Sequence, residues 1–98
     1  MSDTVTLCAL LWAVPGRKSD LADFEDDVLA LLPDHHGRLV SRVRNISVED
    51  GPTEMHIISF RDQTCMDAYL ADDRRIALLP RRDAAIDRTE VHRVDLIA

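Results

Sequence analysis

Residues 5–14 read VTLCALLWAV and are followed directly by Pro15-Gly16. This run is short and almost continuously apolar, and the Pro-Gly pair stops it, which is typical of a central β-strand with apolar side chains on both faces. A membrane helix needs about 20 apolar residues, so we do not expect the run to cross a membrane. The segment predicts the strand around which the sheet is built.

The chain after this strand predicts an amphipathic helix. Ser19 is a suitable N-cap, and acidic residues crowd the first turns, where negative charge favours the positive end of the helix dipole. Pro33 is expected to end the helix. Apolar side chains recur at helical spacing and form one stripe, expected to face the sheet, at Leu21, Phe24, Val28, Leu31 and Leu32.

Three further segments predict strands. Residues 39–46 and 54–60 are rich in β-branched residues and alternate in polarity, and the turn-forming residues 49–52 between them indicate a hairpin. Residues 90–97 alternate in the same way and predict the last strand.

A second helical region lies between the hairpin and the last strand. Asp62 or Thr64 is expected to cap it, and Asp72-Asp73 is expected to interrupt it. A proline inside a helix removes a hydrogen bond and clashes with the preceding turn, so we expect a break or kink at Pro80.

The order β-α-β-β-α-β matches the ferredoxin-like α+β plan, a four-stranded antiparallel sheet with both helices on one face. An apolar outer face would be an interaction surface, and the simplest closure is a second copy of the same sheet related by a two-fold axis. We therefore expect a homodimer whose two sheets close an α/β barrel. The residues expected on this outer face are Cys8, Leu10, Trp12, Val14, His56, Ile58, Phe60, Val94 and Leu96.

Length and charge restrict the class of protein. The 98 residues predict one domain, 1–98, and 12 Lys+Arg against 18 Asp+Glu give a net charge of −6. A nucleic-acid-binding surface needs a positive face, so this partner is not expected. Cys8 and Cys65 have no metal-ligand spacing, and neither a metal nor another cofactor is expected. The first residues lack the basic region of a signal peptide, so we expect a cytoplasmic protein with reduced thiols.

Several of these features together resemble the dimeric α/β-barrel superfamily, and within it the antibiotic-biosynthesis-monooxygenase-like domains. The resemblance covers nearly the whole chain and implies cofactor-free oxygenation of polyketide quinols, haem degradation or polyketide cyclisation as candidate activities. Haem-degrading members carry an asparagine on the first strand where this chain has Ala9, which argues against haem chemistry. The segments that carry the resemblance are Pro15-Gly16-Arg17, Phe24, Phe60-Arg61-Asp62, Ala68-Tyr69-Leu70-Ala71-Asp72 and Ile76-Ala77-Leu78-Leu79-Pro80.

Three side chains are candidates for a catalytic role. His56 lies in mid-strand among apolar neighbours, so it is either a hydrogen-bonded structural histidine or an acid/base group. Arg42 either holds an anionic ligand or pairs with acids of a partner subunit. Tyr69 either packs on the sheet with its hydroxyl in solvent or positions a phenolic substrate.

Three more side chains are candidates for substrate binding. Trp12 either lines a cavity for an aromatic substrate or anchors the dimer contact. Arg44 is expected on the same strand face as Arg42, and His92 is expected to share the sheet face of His56. Solvent-exposed positions are expected for His35-His36, Arg74-Arg75 and Arg81-Arg82.

Two functions from different classes remain open. The first is an enzyme similar to cofactor-independent monooxygenases, acting on an aromatic or polyketide-type metabolite in an apolar pocket. The second is a non-catalytic homodimer that binds a small molecule or another partner. They are distinguished by whether His56 and Arg42 converge on an open pocket or are sealed in an interface.

Overall fold

The computed structural model describes residues 3–47 and 50–97. In chain order the elements are β1 (Val5–Ala13), α1 (Lys18–Leu29), a 3-10 turn (Leu32–His35), β2 (Gly37–Arg44), β3 (Glu54–Phe60), α2 (Gln63–Leu70), α3 (Asp73–Ala85) and β4 (Ile86–Arg93). The strands form one antiparallel sheet in the order β2-β3-β1-β4, and the helices pack on one face of it, so the predicted ferredoxin-like α+β fold is confirmed.

The strand boundaries agree with the prediction for β3 and differ for β2 and β4. Strand β2 begins and ends two residues earlier than predicted, and the predicted turn at 49–52 lies partly outside the described residues. Strand β4 begins four residues earlier, because α3 runs directly into it through the buried Ile86. Val94 and Leu96 therefore lie beyond the last strand, and their predicted place on its outer face is wrong.

The pairing of β1 with β3 decides which side chains face the helices. Ala9 pairs with His56, Leu7 with Ile58 and Val5 with Phe60. Paired residues point to the same face of a sheet, and Ile58 and Phe60 are part of the core beneath the helices. The prediction that His56, Ile58 and Phe60 share the outer face with Trp12 is wrong, because a strand's alternation does not reveal which of its two faces is turned inward.

The outer face of the sheet is apolar at its centre and polar along β4. Cys8 and Leu10 of β1 lie beside Ile57 and Met55 of β3, and Val43 of β2 continues this patch. On the other side of β1 the register places three polar side chains, Arg88, Glu90 and His92. The predicted apolar outer face therefore exists, with a different set of residues.

The helix ends follow local hydrogen bonding. Helix α1 begins before Ser19, with Arg17 at the N-cap position, so the predicted cap is wrong. Asp62 caps α2 as predicted by accepting a hydrogen bond from the Cys65 N–H at 2.9 Å. Helix α3 continues through Pro80, so the predicted break is wrong. Pro80 is exposed and Ile76 half-exposed, which lets water reach the carbonyl that the proline leaves without a donor.

The core lies between the helices and the inner face of the sheet. Leu21 and Phe24 of α1, Leu32 of the 3-10 turn and Phe60 of β3 are almost completely buried there. Within the described ranges, no helix is long and apolar enough to cross a membrane.

A candidate active site between the sheet and the helices

A cavity of about 410 Å³ lies between the inner face of the sheet and the three helices. Its volume falls within the range of small-molecule sites, roughly 300–1,000 Å³. Most of its wall is apolar and comes from β1, β3, α1 and α2. The ionisable and hydroxyl side chains on this wall are Glu25, His56, Tyr69, Arg75, Arg82 and Thr89.

His56 is buried on the cavity wall with 1% of its surface exposed. Its Nε2 lies 2.8 Å from Oε1 of Glu54, which is two residues earlier on the same strand and therefore on the same face. A carboxylate can only accept a hydrogen bond, so Nε2 carries the proton when Glu54 is ionised. The lone pair of a neutral His56 is then on Nδ1.

Arg42 keeps Glu54 ionised. Its Nε donates to Glu54 Oε1 at 2.8 Å and its Nη2 to Oε2 at 3.3 Å, a two-point contact from the neighbouring strand. Burial would raise the pKa of Glu54, but the hydrogen bonds from Arg42 and His56 outweigh it and the pKa is lowered. Arg42 also donates to Asp26 at 2.6 Å and to the Ala22 carbonyl at 3.1 Å, which ties α1 to the sheet edge.

Glu25 approaches the other side of the imidazole from α1. Its Oε2 lies 3.8 Å from His56 Nδ1, and only 6% of the residue is exposed. Burial, helped by the charge of Glu54, raises the pKa of Glu25 to about 7 against the opposing charges of three arginines. Burial also lowers the pKa of His56, although the hydrogen bond that the imidazole donates to Glu54 opposes this. Near neutral pH the imidazole is a free base beside a carboxyl group that gains and loses protons readily.

Tyr69 contributes its ring, not a free hydroxyl. Its hydroxyl donates to the Val28 carbonyl at 3.2 Å, and burial raises the pKa of the phenol. The ring lies 5.5 Å from that of Phe60, and the Arg75 guanidinium lies 5.2 Å above it. The prediction that the hydroxyl reaches solvent is wrong, because α2 packs against the end of α1, where a carbonyl accepts it.

Of the three predicted catalytic residues, His56 and Tyr69 line the cavity, whereas Arg42 lies outside it and contacts the site only through Glu54. The three predicted substrate-binding residues do not line the cavity. Trp12 lies on the outer face with the Arg88 guanidinium 4.3 Å above its ring. His92 pairs with Cys8 across the sheet, so it lies on the face opposite His56, and the prediction that the two share a face is wrong. Arg44 is exposed beside Arg42 at a shallow groove outside the cavity.

Four charged residues at this site were not predicted from the sequence to belong to it. Glu25 and Glu54 flank His56 from α1 and from its own strand. Glu25 occupies a position in the apolar stripe of α1, and Glu54 occupies an inward-facing position of β3. A charged residue at a buried position of such a pattern is the sequence signal that indicates a role for both residues. Arg75 and Arg82 were expected in solvent, but both are partly buried and line the cavity, because one face of α3 closes it.

Comparison with solved structures shows the same fold in proteins of very different sequence. PA3566 from Pseudomonas aeruginosa is 17% identical, with a TM-score of 0.77 over 100% of this chain and 98% of that chain. SnoaB, a cofactor-independent oxygenase from Streptomyces nogalater, is 13% identical, with a TM-score of 0.75 over 99% and 96%. A dimeric protein of unknown function and ferredoxin-like fold from Bacteroides fragilis is 12% identical, with a TM-score of 0.75 over 97% and 98%.

The fold class follows from these comparisons. The chain has the ferredoxin-like fold of these proteins, which confirms the resemblance noted in the sequence at the level of fold. Other proteins with this fold include a NIPSNAP-like domain protein from Burkholderia xenovorans and a dabb family protein from Mesorhizobium loti. No protein-family model and no curated protein sequence matches the chain.

Proposed function

We propose that the protein is a cofactor-independent oxygenase acting on an aromatic or polyketide-type small molecule. The observation that supports this function is the placement of His56. The imidazole lies on the wall of an apolar cavity, hydrogen-bonded at Nε2 and directed at Nδ1 toward an ionisable acid, and burial lowers its pKa so that the neutral base is favoured. Such an arrangement suits removal of a proton from a substrate held away from water.

The reaction begins when His56 Nδ1 takes a proton from an acidic C–H of the substrate. The carbanion transfers one electron to dioxygen, and the two radicals combine to form a carbon–oxygen bond. The imidazolium returns its proton to the peroxide, and loss of water from a methylene carbon then leaves a carbonyl. A methylene group and dioxygen thus become a carbonyl group and water, and the electron balance closes with dioxygen alone.

Glu25 and Glu54 have different parts in this scheme. Glu54, with its charge held by Arg42, is a positioning residue that fixes the tautomer of His56 and stabilises the imidazolium once it forms. Glu25 lies on the cavity side and can relay the proton between His56 and the peroxide, since its pKa of about 7 makes both directions accessible.

The proposed enzyme acts as a homodimer in the cytoplasm. Two observations support the homodimer: the apolar centre of the outer sheet face, and the dimeric protein of similar fold from Bacteroides fragilis. The cavity lies on the other face of the sheet, so each chain carries its own site.

The test measures dioxygen uptake with dithranol, a phenolic tricyclic compound with an acidic methylene, as the probe. The wild-type protein is expected to consume dioxygen and form the corresponding carbonyl product. His56→Gln keeps a hydrogen-bonding side chain that cannot act as a base, and is expected to slow turnover by about 100-fold or more. His36→Asn is the control, since His36 is exposed and has a positive φ that asparagine tolerates.

Two results would overturn the proposal. One is a His56→Gln variant that consumes dioxygen at the wild-type rate. The other is a wild-type protein that binds dithranol at the cavity, seen by protection of neighbouring amides, without any uptake. The second result would favour the non-catalytic binding homodimer.

A further inference from the structure

The end of the cavity formed by α3 carries positive charge that the described residues neutralise only in part. Arg75 and Arg82 both line the cavity, and they are seven residues apart, two turns along one face of the helix. In the part of the chain that the structure describes, no carboxylate lies within ion-pair distance of Arg75. Arg82 Nη2 donates to the Thr89 hydroxyl at 3.0 Å, and its Nη1 lies 3.8 Å from the exposed Asp83.

Arg75 has a buried hydrogen-bond donor without an acceptor. Its Nε–H is shielded from solvent and forms no hydrogen bond with any described residue. The Nε atoms of Arg42 and Arg74, by contrast, donate to carboxylates at 2.8 and 3.1 Å. A buried donor that stays unsatisfied costs stability, so an unsatisfied donor on a cavity wall indicates a place for an acceptor that the chain does not supply.

The other ionisable groups of the cavity do not provide that acceptor. The charges of Arg75 and Arg82 act on Glu25, but its Oε2 lies 3.8 Å from His56 Nδ1, it forms no ion pair with Arg75 among the described residues, and it is close to half-protonated at neutral pH. The Tyr69 hydroxyl donates to the Val28 carbonyl and interacts with the Arg75 guanidinium, yet the Arg75 Nε–H has no acceptor in the described part of the chain. Burial favours the neutral form of His56, which therefore adds no negative charge. The two guanidinium groups therefore exceed the negative charge that faces them.

We infer that Arg75 and Arg82 form a binding site for the carboxylate group of an amphipathic ligand whose flat apolar body fills the cavity. The guanidinium and carboxylate groups are both planar, and the spacing of two guanidinium N–H groups matches that of the two carboxylate oxygens. The pair therefore forms two parallel hydrogen bonds, which are strongest where water is scarce. Tyr69 holds Arg75 in place by stacking beneath it. The inference rests on the proposed function in that it describes the substrate of the same cavity as an aromatic carboxylic acid.

The test measures binding without turnover, so that it does not depend on oxygenase activity. Naphthoate and its neutral analogue naphthamide are titrated by calorimetry under nitrogen. Naphthoate is expected to bind at least about tenfold more tightly, and Arg75→Gln is expected to remove this preference. Arg81→Gln is the matched control, because Arg81 is on the same helix and its exposed side chain pairs with Asp27 at 2.6 Å, outside the cavity.

A second measurement covers the case in which Arg75→Gln does not fold. In isotope-labelled wild-type protein, the proton–nitrogen correlation signal of the Arg75 Nε–H is expected to shift on saturation with naphthoate and to stay in place with naphthamide. Equal affinity for the two probes, or an Arg75 signal that naphthoate does not move, would overturn the inference. Naphthoate binding at Arg75 together with absent dioxygen uptake would contradict the proposed oxygenase function alone.

Discussion

At the scale of single residues, the site consists of buried ionisable groups, each of which contacts the next. Arg42 fixes the charge of Glu54, Glu54 fixes the proton of His56, and Glu25 meets the opposite nitrogen of the imidazole. Each group influences the protonation of the next. Substitutions of Glu25 and of Arg42, at the two ends of this series, are therefore expected to change stability in different ways.

Replacement of Glu25 is expected to flatten the dependence of stability on pH. The pKa of Glu25 is raised from 4.5 to about 7 in the folded protein. Between these two pH values the folded protein keeps the Glu25 proton, whereas the unfolded chain has released it. The contribution of Glu25 to the free energy of unfolding is therefore fully present below pH 4.5, and it falls by up to about 3 kcal/mol as the pH rises through 7. Glu25→Gln removes this loss, and chemical denaturation at pH 5 and pH 8 measures it.

The control for this prediction is Asp23→Asn, which removes an exposed negative charge from the same helix and should keep the wild-type slope. An equal fall in stability between pH 5 and pH 8 for wild type and Glu25→Gln would contradict the assigned proton. The lowered pKa of His56 acts in the opposite sense, because its contribution is lost as pH falls below 6.5.

Arg42→Ala is expected to lower the free energy of unfolding by about 3 kcal/mol, because it leaves the buried Glu54 carboxylate without its cation. Arg44→Ala on the same strand is the control and should change stability by no more than about 0.5 kcal/mol, since Arg44 is exposed. Urea denaturation followed by circular dichroism measures both. Equal small effects would show that the Arg42–Glu54 pair does not stabilise the fold.

At the scale of elements, α3 is continuous although Pro80 lies inside it. Proline costs a helix interior about 3 kcal/mol relative to alanine, partly offset by the lower entropy of the unfolded chain. Pro80→Ala restores a donor for the Ile76 carbonyl, and we expect a gain of about 1 kcal/mol in thermal unfolding. Ala84→Gly, at another exposed position of α3, should instead lose about 1 kcal/mol. A loss of more than about 2 kcal/mol for Pro80→Ala would mean that the proline supports the helix geometry in another way.

At the scale of the whole molecule, the sheet separates two surfaces with different roles. The inner face holds the cavity, and the outer face has an apolar centre around Leu10, Met55 and Ile57 that a second copy can cover. A two-fold contact through this patch would bury it without reaching the cavity, so assembly and ligand binding can be tested separately.

Light scattering behind a sizing column is expected to give about twice the chain mass of 11.1 kDa. Ile57→Glu places a charge in the outer apolar patch and should shift the protein to monomer. Ile76→Glu is the matched control, because Ile76 is 47% exposed on α3, away from that face. A wild-type protein that stays monomeric and soluble at micromolar concentration would contradict the dimer.

The sequence by itself determined the order and type of the elements. The apolar run before Pro15-Gly16, the stripe of α1 and the alternation of β3 each depend on local periodicity, which a single chain segment carries completely. The Asp62 cap is local in the same way, since its hydrogen bond spans only three residues. The fold class followed because few arrangements bury such a series of elements.

Only the tertiary structure decided the site. The alternation of β3 showed that Glu54, His56 and Phe60 share a face, but the pairing of Ala9 with His56 was needed to show that this face is turned toward the helices. The cavity joins Glu25 of α1, His56 of β3 and Arg75 of α3, which are far apart in the chain. No local pattern encodes such contacts, because they arise only when the helices close over the sheet, and burial there gives these groups their altered chemistry.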